Sequence, residues 1–252
     1  MTVRAKKSLG QHFLTDQNIA RKIAGSIEGE PALVIEIGPG MGVLTKYLTT
    51  YPHFKAIEID RESVDYLIEN QILDRNKIIL GDFLEIDPED ILQENTCIIG
   101  NFPYNISSQI FFKVLENRHM VSQTVCMIQK EVAERIAAPP GSKTYGILSV
   151  LLQAFYNIKY LFTVHENVFN PPPKVKSAVI RLERNTTSQL DCNEELFFKI
   201  VKAGFNQRRK TLRNSVRGFF SPEILQNPIF DKRPEQLSVS EFVMIVNLNK
   251  ND

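Results

Sequence analysis

The segment Leu33-Val-Ile-Glu-Ile-Gly-Pro-Gly-Met-Gly42 determines the predicted fold, because a strand pattern runs directly into a glycine-rich turn. A short, mostly apolar run is typical of a strand that is covered on both faces, and Val43, Leu44 and Leu48 predict a helix after the turn. Outward from this segment, apolar strands alternate with helical patterns as far as residue 182. The alternation predicts an α/β fold with a mainly parallel, doubly wound sheet.

Six strands are predicted, at residues 33–37, 54–59, 77–80, 97–100, 125–128 and 177–182. A helix is predicted after Asp16, and the polar stretch at residues 185–189 is followed by helical patterns only. Asp191 with Glu194, and Ser238 with Glu241, have the spacing of capping boxes. We therefore predict a first domain at residues 1–185 and a small all-helical C-terminal domain at residues 186–252.

Composition excludes several classes of protein. The chain has 252 residues, of which 43% are apolar and 23% charged, and its net charge is 30 − 29 = +1. These values argue against a disordered, an acidic-tail or a uniformly basic protein. The three cysteines form no CxxC pair, and no apolar run reaches the roughly 18 residues of a spanning helix. We expect a cytoplasmic protein with no membrane contact, no metal and no disulfide framework, and nothing suggests an obligate dimer.

The glycine loop and two acids predict a ligand that contains adenosine. Gly38, Gly40 and Gly42 do not match the dinucleotide spacing GxGxxG, since residue 43 is Val, and a tight turn without a ligand is the alternative for the loop alone. Glu58 ends the second strand, where a carboxylate can accept from a ribose diol. Asp82 follows the third strand and can accept from the exocyclic amine of adenine. The glycine spacing and the lack of a basic phosphate clamp favour S-adenosylmethionine over a nicotinamide dinucleotide.

The fourth strand ends in Asn101-Phe-Pro-Tyr104, which suits methylation of the N6 amine of adenine. This nitrogen is a poor nucleophile, and two positioned acceptors can stabilise the positive charge that develops on it. The Asn101 side-chain oxygen and the Phe102 carbonyl are the candidates. Pro103 stiffens the loop and Tyr104 offers a face for stacking the base; the alternative is an Asn-Pro turn with a packed Tyr.

Two further segments are candidates for contact with RNA. Three prolines after Phe169 predict a rigid loop that presents this ring opposite Tyr104, or else a loop with a core Phe. Residues 197–221 contain seven Lys or Arg and no acid, and Arg209, Arg213 and Arg217 have the spacing of one helix face. A solvated face is the alternative, but the lack of acids favours RNA phosphates. The predicted RNA-binding residues are Arg208, Arg209, Lys210, Arg213 and Arg217.

Five segments resemble the KsgA/RsmA family of small-subunit ribosomal RNA adenine N6-dimethyltransferases, in the family's order. They are Leu9-Gly-Gln-His-Phe-Leu14, Glu36-Ile-Gly-Pro-Gly40, Asn101-Phe-Pro-Tyr-Asn-Ile-Ser107, Phe169-Asn-Pro-Pro-Pro-Lys-Val175 with Ser177-Ala-Val179, and Phe205-Asn-Gln-Arg-Arg-Lys-Thr-Leu-Arg-Asn-Ser215. The resemblance implies a Rossmann-like class I methyltransferase sheet with a helical C-terminal domain. It also implies transfer of four methyl groups from S-adenosylmethionine to two adjacent adenosines near the 3′ end of 16S rRNA, in the small ribosomal subunit or its precursor.

The resemblance also implies the residues that contact the methyl donor. They are His12, Leu14, Gly38, Glu58, Asp82 and Asn101; Gly40 belongs to the same loop. His12 stands where many bacterial members have Asn, and Phe102 where Leu is commoner. The alternatives are an Erm-type 23S rRNA methyltransferase and a transcription factor of the same fold, and a nicotinamide oxidoreductase is the least favoured. The segment at residues 205–215 favours the KsgA/RsmA family.

Overall fold

A computed structural model describes residues 3–207 and 210–251. The chain divides into two compact units: unit 1 comprises residues 1–133 and 158–184, and unit 2 comprises residues 134–157 and 185–252. The sequence assigned all of residues 1–185 to the first domain, whereas the contacts group residues 134–157 with the C-terminal segment.

A mostly parallel sheet of seven strands forms the centre of unit 1. The described strands are β1 (Phe13–Leu14), β2 (Leu33–Ile37), β3 (Phe54–Glu58), β4 (Ile78–Leu80), β5 (Thr96–Asn101), β6 (Val121–Gln129), β7 (Tyr156–Val164), β8 (Phe169–Asn170) and β9 (Ser177–Arg184). The order in the large sheet is β4-β3-β2-β5-β6-β9-β7. All pairs from β4 to β6 are parallel, and β9 is antiparallel to β6. The predicted α/β class is confirmed, although the sequence missed β7 at the sheet edge.

Helices connect the strands of unit 1 and form most of unit 2. Their described bounds are α1 (Gln17–Ala24), α2 (Thr45–Leu48), α3 (Arg61–Glu69), α4 (Pro88–Ile91), α5 (Ser107–Glu116), α6 (Lys130–Ala137), α7 (Ile147–Gln153), α8 (Glu194–Asn206), α9 (Leu212–Val216) and α10 (Val239–Asn247). Asp16 caps α1 and the Ser238–Glu241 capping box begins α10, as predicted. Helix α8 is present as predicted, but its predicted capping box was wrong, because Asn193 and not Asp191 is its N-cap.

The register of the central strands brings the predicted site residues to one edge of the sheet. Strand β2 is buried along its whole length and pairs with β3 on one side and β5 on the other. Gly100 allows β5 to lie close to β2, since a Cβ at this position would stand 2.5 Å from the Ile37 carbonyl oxygen. Because β2 to β5 are parallel, the residues that follow them emerge at the same carboxyl edge.

Unit 2 has its own aromatic core. The Phe197 ring meets the Phe242 ring edge-on, and Phe205 contacts both Phe242 and Tyr145. Phe197, Phe242 and Tyr145 are fully buried. Within the part of the chain that the structure describes, no helix combines the length and apolar character needed to cross a bilayer.

Candidate active site

A cavity lies at the carboxyl edge of the sheet in unit 1. Most of the predicted donor and catalytic residues line it: His12, Gly38, Gly40, Glu58, Asp82, Asn101, Phe102, Pro103 and Tyr104. The N-terminal segment from Ser8 to Phe13 forms part of the same wall. Among the described residues, no cluster of three or more His, Cys, Asp or Glu suits a metal ion.

The glycine loop borders open space at its first glycine and is closely packed at its last. Gly38 has a φ of +67°, and a Cβ placed there would meet no atom within 4 Å, so this glycine leaves room beside the cavity. Gly42 has a φ of +74°, and its Cβ would lie 2.6 Å from a methyl carbon of Ile72. The first glycine therefore borders open space, and the last allows close packing under the loop.

Glu58 is a buried carboxylate that the backbone orients. Its exposed fraction is 4%. One carboxyl oxygen accepts from the Gly40 amide at 3.0 Å and the other from the Asp60 amide at 2.9 Å. Burial raises the pKa of Glu58, and these hydrogen bonds oppose that rise. Each oxygen retains a lone pair, so the carboxylate can still accept from hydroxyl groups of a ligand.

Asp82 stands in a tight turn after β4. Its Oδ1 accepts from the Leu84 amide at 2.8 Å, which fixes the orientation of the side chain. The other carboxyl oxygen is not used in this turn, and both Asp82 and the buried Phe83 line the cavity. The pair offers an acceptor and an aromatic wall at the same end of the site.

The Asn101 amide is held by the N-terminal segment. Its Nδ2 donates to the His12 carbonyl oxygen at 2.9 Å. Among the described residues, neither the Asn101 side-chain oxygen nor the Phe102 carbonyl oxygen accepts a hydrogen bond. The Phe102 ring is buried against Phe111, so only the backbone of this residue can serve the cavity. Two acceptors on consecutive residues therefore have no donor among the described residues.

Tyr104 is fixed by its hydroxyl and flanked by His12. The hydroxyl shares a hydrogen bond of 2.6 Å with Ser177 Oγ, and burial raises the pKa of the phenol. The His12 ring is roughly parallel to the Tyr104 ring, with centroids 5.6 Å apart and an interplanar angle of 28°. His12 Nδ1 donates to the Pro171 carbonyl oxygen at 2.8 Å. The aromatic neighbour of Tyr104 is thus His12.

Phe169 does not lie where the sequence placed it. Strand β8 pairs antiparallel with β1, with Phe169 opposite Leu14. The Phe169 ring is 4% exposed and belongs to the hydrophobic core, whereas the next residue, Asn170, is exposed. Side chains alternate along a strand, so this register turns Phe169 inward. The predicted sandwich of Phe169 and Tyr104 is absent among the described residues, and Leu14 lines a smaller cavity beside Gly38.

The sequence reasoning gave no role to Glu36, which also lines that smaller cavity. Its exposed fraction is 1%, and among the described residues its Oε2 has no hydrogen-bond partner. Burial raises the pKa of this carboxyl to about 8, and the nearby Glu58 charge adds to the rise. An ionisable residue inside an otherwise apolar strand was the available signal, since burying a charge without a partner is costly.

The basic segment of unit 2 differs from its prediction. Arg208 and Arg209 lie outside the described residues. Helix α9 begins only at Leu212 and Arg217 is its C-cap, so this helix does not carry the predicted face of three arginines. Arg213 pairs with Asp231 at 2.8 Å, while Lys210 and Arg217 are exposed. Asp231, an acid distant in sequence, thus compensates part of the positive charge.

Comparison with known proteins agrees with the geometry. The family model described as ribosomal RNA adenine dimethylase matches residues 2–250. A protein of Phocaeicola vulgatus named ribosomal RNA small subunit methyltransferase A is 56% identical over 97% of this chain and 89% of its own length. A protein of Cytophaga hutchinsonii with the same name is 56% identical over 98% of this chain and 97% of its own length.

Two solved structures share the fold over nearly the full chain. A dimethyladenosine transferase from Plasmodium falciparum has a TM-score of 0.80 at 25% identity, over 95% of this chain and 98% of its own. The 23S rRNA methyltransferase ErmE has a TM-score of 0.71 at 25% identity, over 93% of this chain and 99% of its own. Since the family model covers nearly all residues, the chain belongs to the ribosomal RNA adenine dimethylase family.

Proposed function

We propose that the protein transfers methyl groups from S-adenosylmethionine to N6 of two adjacent adenosines in a hairpin near the 3′ end of 16S rRNA. The observation that carries this proposal is the pair of available acceptors at Asn101 and Phe102, in the same cavity as Glu58 and Asp82. The names of the relatives with 56% identity support the small subunit as the target. The enzyme would act in the cytoplasm as a monomer, on the small subunit or its precursor.

The cavity residues fit a cationic donor that carries adenosine. Gly38 leaves space at the floor, Glu58 can accept from the ribose hydroxyls, and Asp82 can accept from the adenine amine. Glu36 adds a buried carboxyl that lacks a partner on one oxygen among the described residues. When bound, S-adenosylmethionine supplies an electrophilic methyl group on a sulfonium, and no metal enters the proposal.

The chain's own contribution to transfer is the orientation of the target amine. In the first transfer the Asn101 side-chain oxygen and the Phe102 carbonyl accept from the two N6 hydrogens, and in the second transfer one of them accepts from the hydrogen that remains. These hydrogen bonds direct the nitrogen lone pair out of the ring plane. The same acceptors stabilise the positive charge that develops on N6 during transfer. That charge makes the protons left on the methylated N6 acidic, so water can take up one of them after each transfer and no strong base is required.

The target adenosine must leave its stack to reach these acceptors. Tyr104 offers the stacking face, and its hydrogen bond to Ser177 fixes the ring. His12 lies beside it, and its hydrogen bond to Pro171 fixes the second ring. We assign Phe169 the supporting role of holding β8 against β1, because its ring is buried.

Unit 2 is proposed to bind RNA phosphates through exposed cations, chiefly Lys210 and Arg217 with Arg213. Arg208 and Arg209 belong to the same proposal from the sequence alone. Phosphate contacts supply affinity and not sequence recognition, so the choice of adenosines rests on the cavity and on the shape of the subunit.

A single labelling experiment tests this function against the Erm-type alternative. The structural similarity to ErmE is the reason to test that alternative. The protein is incubated with labelled S-adenosylmethionine and ribosomal subunits from cells that lack the modification. We expect label in small-subunit rRNA as N6,N6-dimethyladenosine. Label only in 23S rRNA would replace the proposal by the Erm-type activity, and RNA binding without label would favour the transcription-factor alternative.

A further inference from the structure

Lys113 is a buried lysine whose partners are backbone carbonyls. It lies on α5, the helix that follows Asn101–Tyr104, and is 8% exposed. Its Nζ donates to the carbonyl oxygens of Phe83 at 2.6 Å, Leu84 at 3.2 Å and Ile86 at 2.5 Å. No carboxylate of the described residues lies within ion-pair distance of it.

The three contacts use the full hydrogen-bonding capacity of the ammonium group, which has three donors and no acceptor. Burial lowers the pKa of Lys113, while the charges of Asp82, Asp87 and Glu116 counteract that effect. The ammonium also lies 5.1 Å from the centre of the Phe83 ring. A lysine in this setting serves the loop that it contacts, because all three of its hydrogen bonds go to backbone carbonyls of that loop.

That loop is the turn that carries Asp82. The Asp82 carbonyl oxygen accepts from the amides of Glu85 at 3.0 Å and Ile86 at 3.1 Å, and its Oδ1 accepts from Leu84. Asp82 thus satisfies the amides of the turn, and Lys113 satisfies its carbonyls. Without the ammonium, three carbonyls at a poorly hydrated position would lose their partner, and the turn would rearrange to reach water.

We propose that Lys113 is a positioning residue that holds the turn at residues 82–86 so that Asp82 can select a methyl donor with an exocyclic amine. The inference rests on the proposed function, since Asp82 has this role only toward an adenosine ligand. It also explains why one helix contacts both ends of the site. Helix α5 begins next to the Asn101–Tyr104 segment and reaches the adenine end through Lys113.

The test compares two ligands that differ at one position of the base. S-adenosylhomocysteine carries the amine, and S-inosylhomocysteine carries a carbonyl in its place. Their dissociation constants are measured by calorimetry for the wild type, Lys113→Met, Asp82→Asn and the double variant. Lys159→Met is the matched control, because this exposed lysine of unit 1 pairs only with Glu183 among the described residues. Melting temperatures are recorded for every variant.

We expect the wild type to prefer the adenosyl ligand by about tenfold or more, since one ligand hydrogen bond to a charged acceptor is lost in the inosyl compound. Lys113→Met should lose most of this preference through weaker adenosyl binding. The double variant should show the preference of the single variants and no further loss. Lys113→Arg, which keeps a cation with several donors, should regain part of the preference, and it replaces Lys113→Met if that variant does not fold.

The outcomes separate this inference from the function on which it rests. Equal weakening of both ligands in Lys113→Met, with the preference intact, would show a general structural role and overturn the inference. The same holds if the preference persists in Lys113→Met but is lost in Asp82→Asn. A preference unchanged in both variants would overturn the inference together with the assignment of Asp82. Failure of the wild type to bind S-adenosylhomocysteine would instead overturn the proposed function.

Discussion

The cavity of unit 1 and the basic segment of unit 2 were both predicted from local sequence patterns. The structure brings most of the predicted residues of the first together, but not the predicted arginine face of the second. Glu58, Asp82 and Asn101 end or follow three different strands and line one cavity. In the basic segment, α9 starts at Leu212 and Arg213 pairs with Asp231. Residues at the carboxyl ends of neighbouring parallel strands lie at the same edge of the sheet, so a local strand pattern also predicts which side chains come together. A run of charges contains no information about the acids that fold back onto it.

The largest effect is expected at Asn101, because it provides an acceptor where the charge develops. Asn101→Ala should lower kcat by about 10²- to 10³-fold at saturating donor, which is the usual cost of losing one such group. Asn101→Asp keeps an acceptor oxygen and should lose less. Single-turnover methylation of unmodified small subunits measures both variants.

A matched control separates catalysis from loss of the Asn101–His12 contact. Asn70 also donates its side-chain amide to a backbone carbonyl at 2.9 Å, on α3. Asn70→Ala should leave kcat unchanged. If Asn101→Ala retained normal N6 methylation, the two acceptors would not be the catalytic feature of the cavity.

The successes and failures of the sequence predictions have physical causes. Gly38, Glu58 and Asp82 line one cavity, as expected, because each ends or follows a strand whose pattern fixes its end. The direction of Phe169 depends on the register of β8 against β1, and a sequence separation of over 150 residues hides that register. Strand β7 was missed because its alternation is incomplete: exposed Asn157 and Lys159 alternate with apolar residues, but the half-buried Leu161 and Phe162 follow each other. A local pattern predicts the element, whereas a distant partner decides which way its side chains point.

The second largest effect is expected on stability at Glu36, the cavity acid to which the sequence analysis gave no role. Its pKa is raised to about 8 from an ordinary value near 4.5, so its contribution to stability is full below pH 4.5 and is lost as the pH rises through 8. Glu36→Gln should therefore gain stability relative to the wild type between pH 5 and pH 9. Each unit of pKa corresponds to about 1.4 kcal/mol, so the gain is on the order of a few kcal/mol.

Denaturant unfolding of the ligand-free protein at several pH values measures this difference. Binding of a cationic donor should reduce the stability advantage of Glu36→Gln, since the positive charge favours the ionised Glu36 carboxylate. At pH 7 this binding should release a proton from the wild type and none from Glu36→Gln. Calorimetry in buffers of different ionisation enthalpy detects that proton. Parallel stability curves for the two proteins would show that Glu36 is ionised in the folded state throughout.

The basic segment is expected to show a smaller, graded effect. Arg217→Ala and Lys210→Ala should each reduce the slope of log affinity for RNA against log salt by about 0.7 to 0.9, the value of one phosphate contact. Arg213→Ala should reduce it less, because Asp231 already compensates this charge. Lys77→Ala is the control, since this residue precedes β4 at the edge opposite the cavity. Equal slopes for Arg213→Ala and Arg217→Ala would mean that RNA displaces Asp231, and unchanged slopes in all three would remove the segment from the RNA interface.

The smallest effect is expected at the Tyr104 hydroxyl. Tyr104→Phe keeps the stacking face and loses only the hydrogen bond to Ser177, so kcat should fall a few-fold and stability by about 1 kcal/mol. Tyr104→Ala also removes the ring, whose stacking on a base is worth about 1 to 3 kcal/mol, and should raise KM for the subunit by tenfold or more. Steady-state methylation with both variants measures the effects on kcat and KM separately. We expect the Tyr104 ring to matter more than its hydroxyl, because the ring forms a face of the cavity and the hydroxyl only holds that ring in place. If methylation activity fell as much in Tyr104→Phe as in Tyr104→Ala, the hydroxyl would take a direct part in the reaction. The cavity of unit 1 would then depend on a single polar group, as the basic segment of unit 2 depends on its charges.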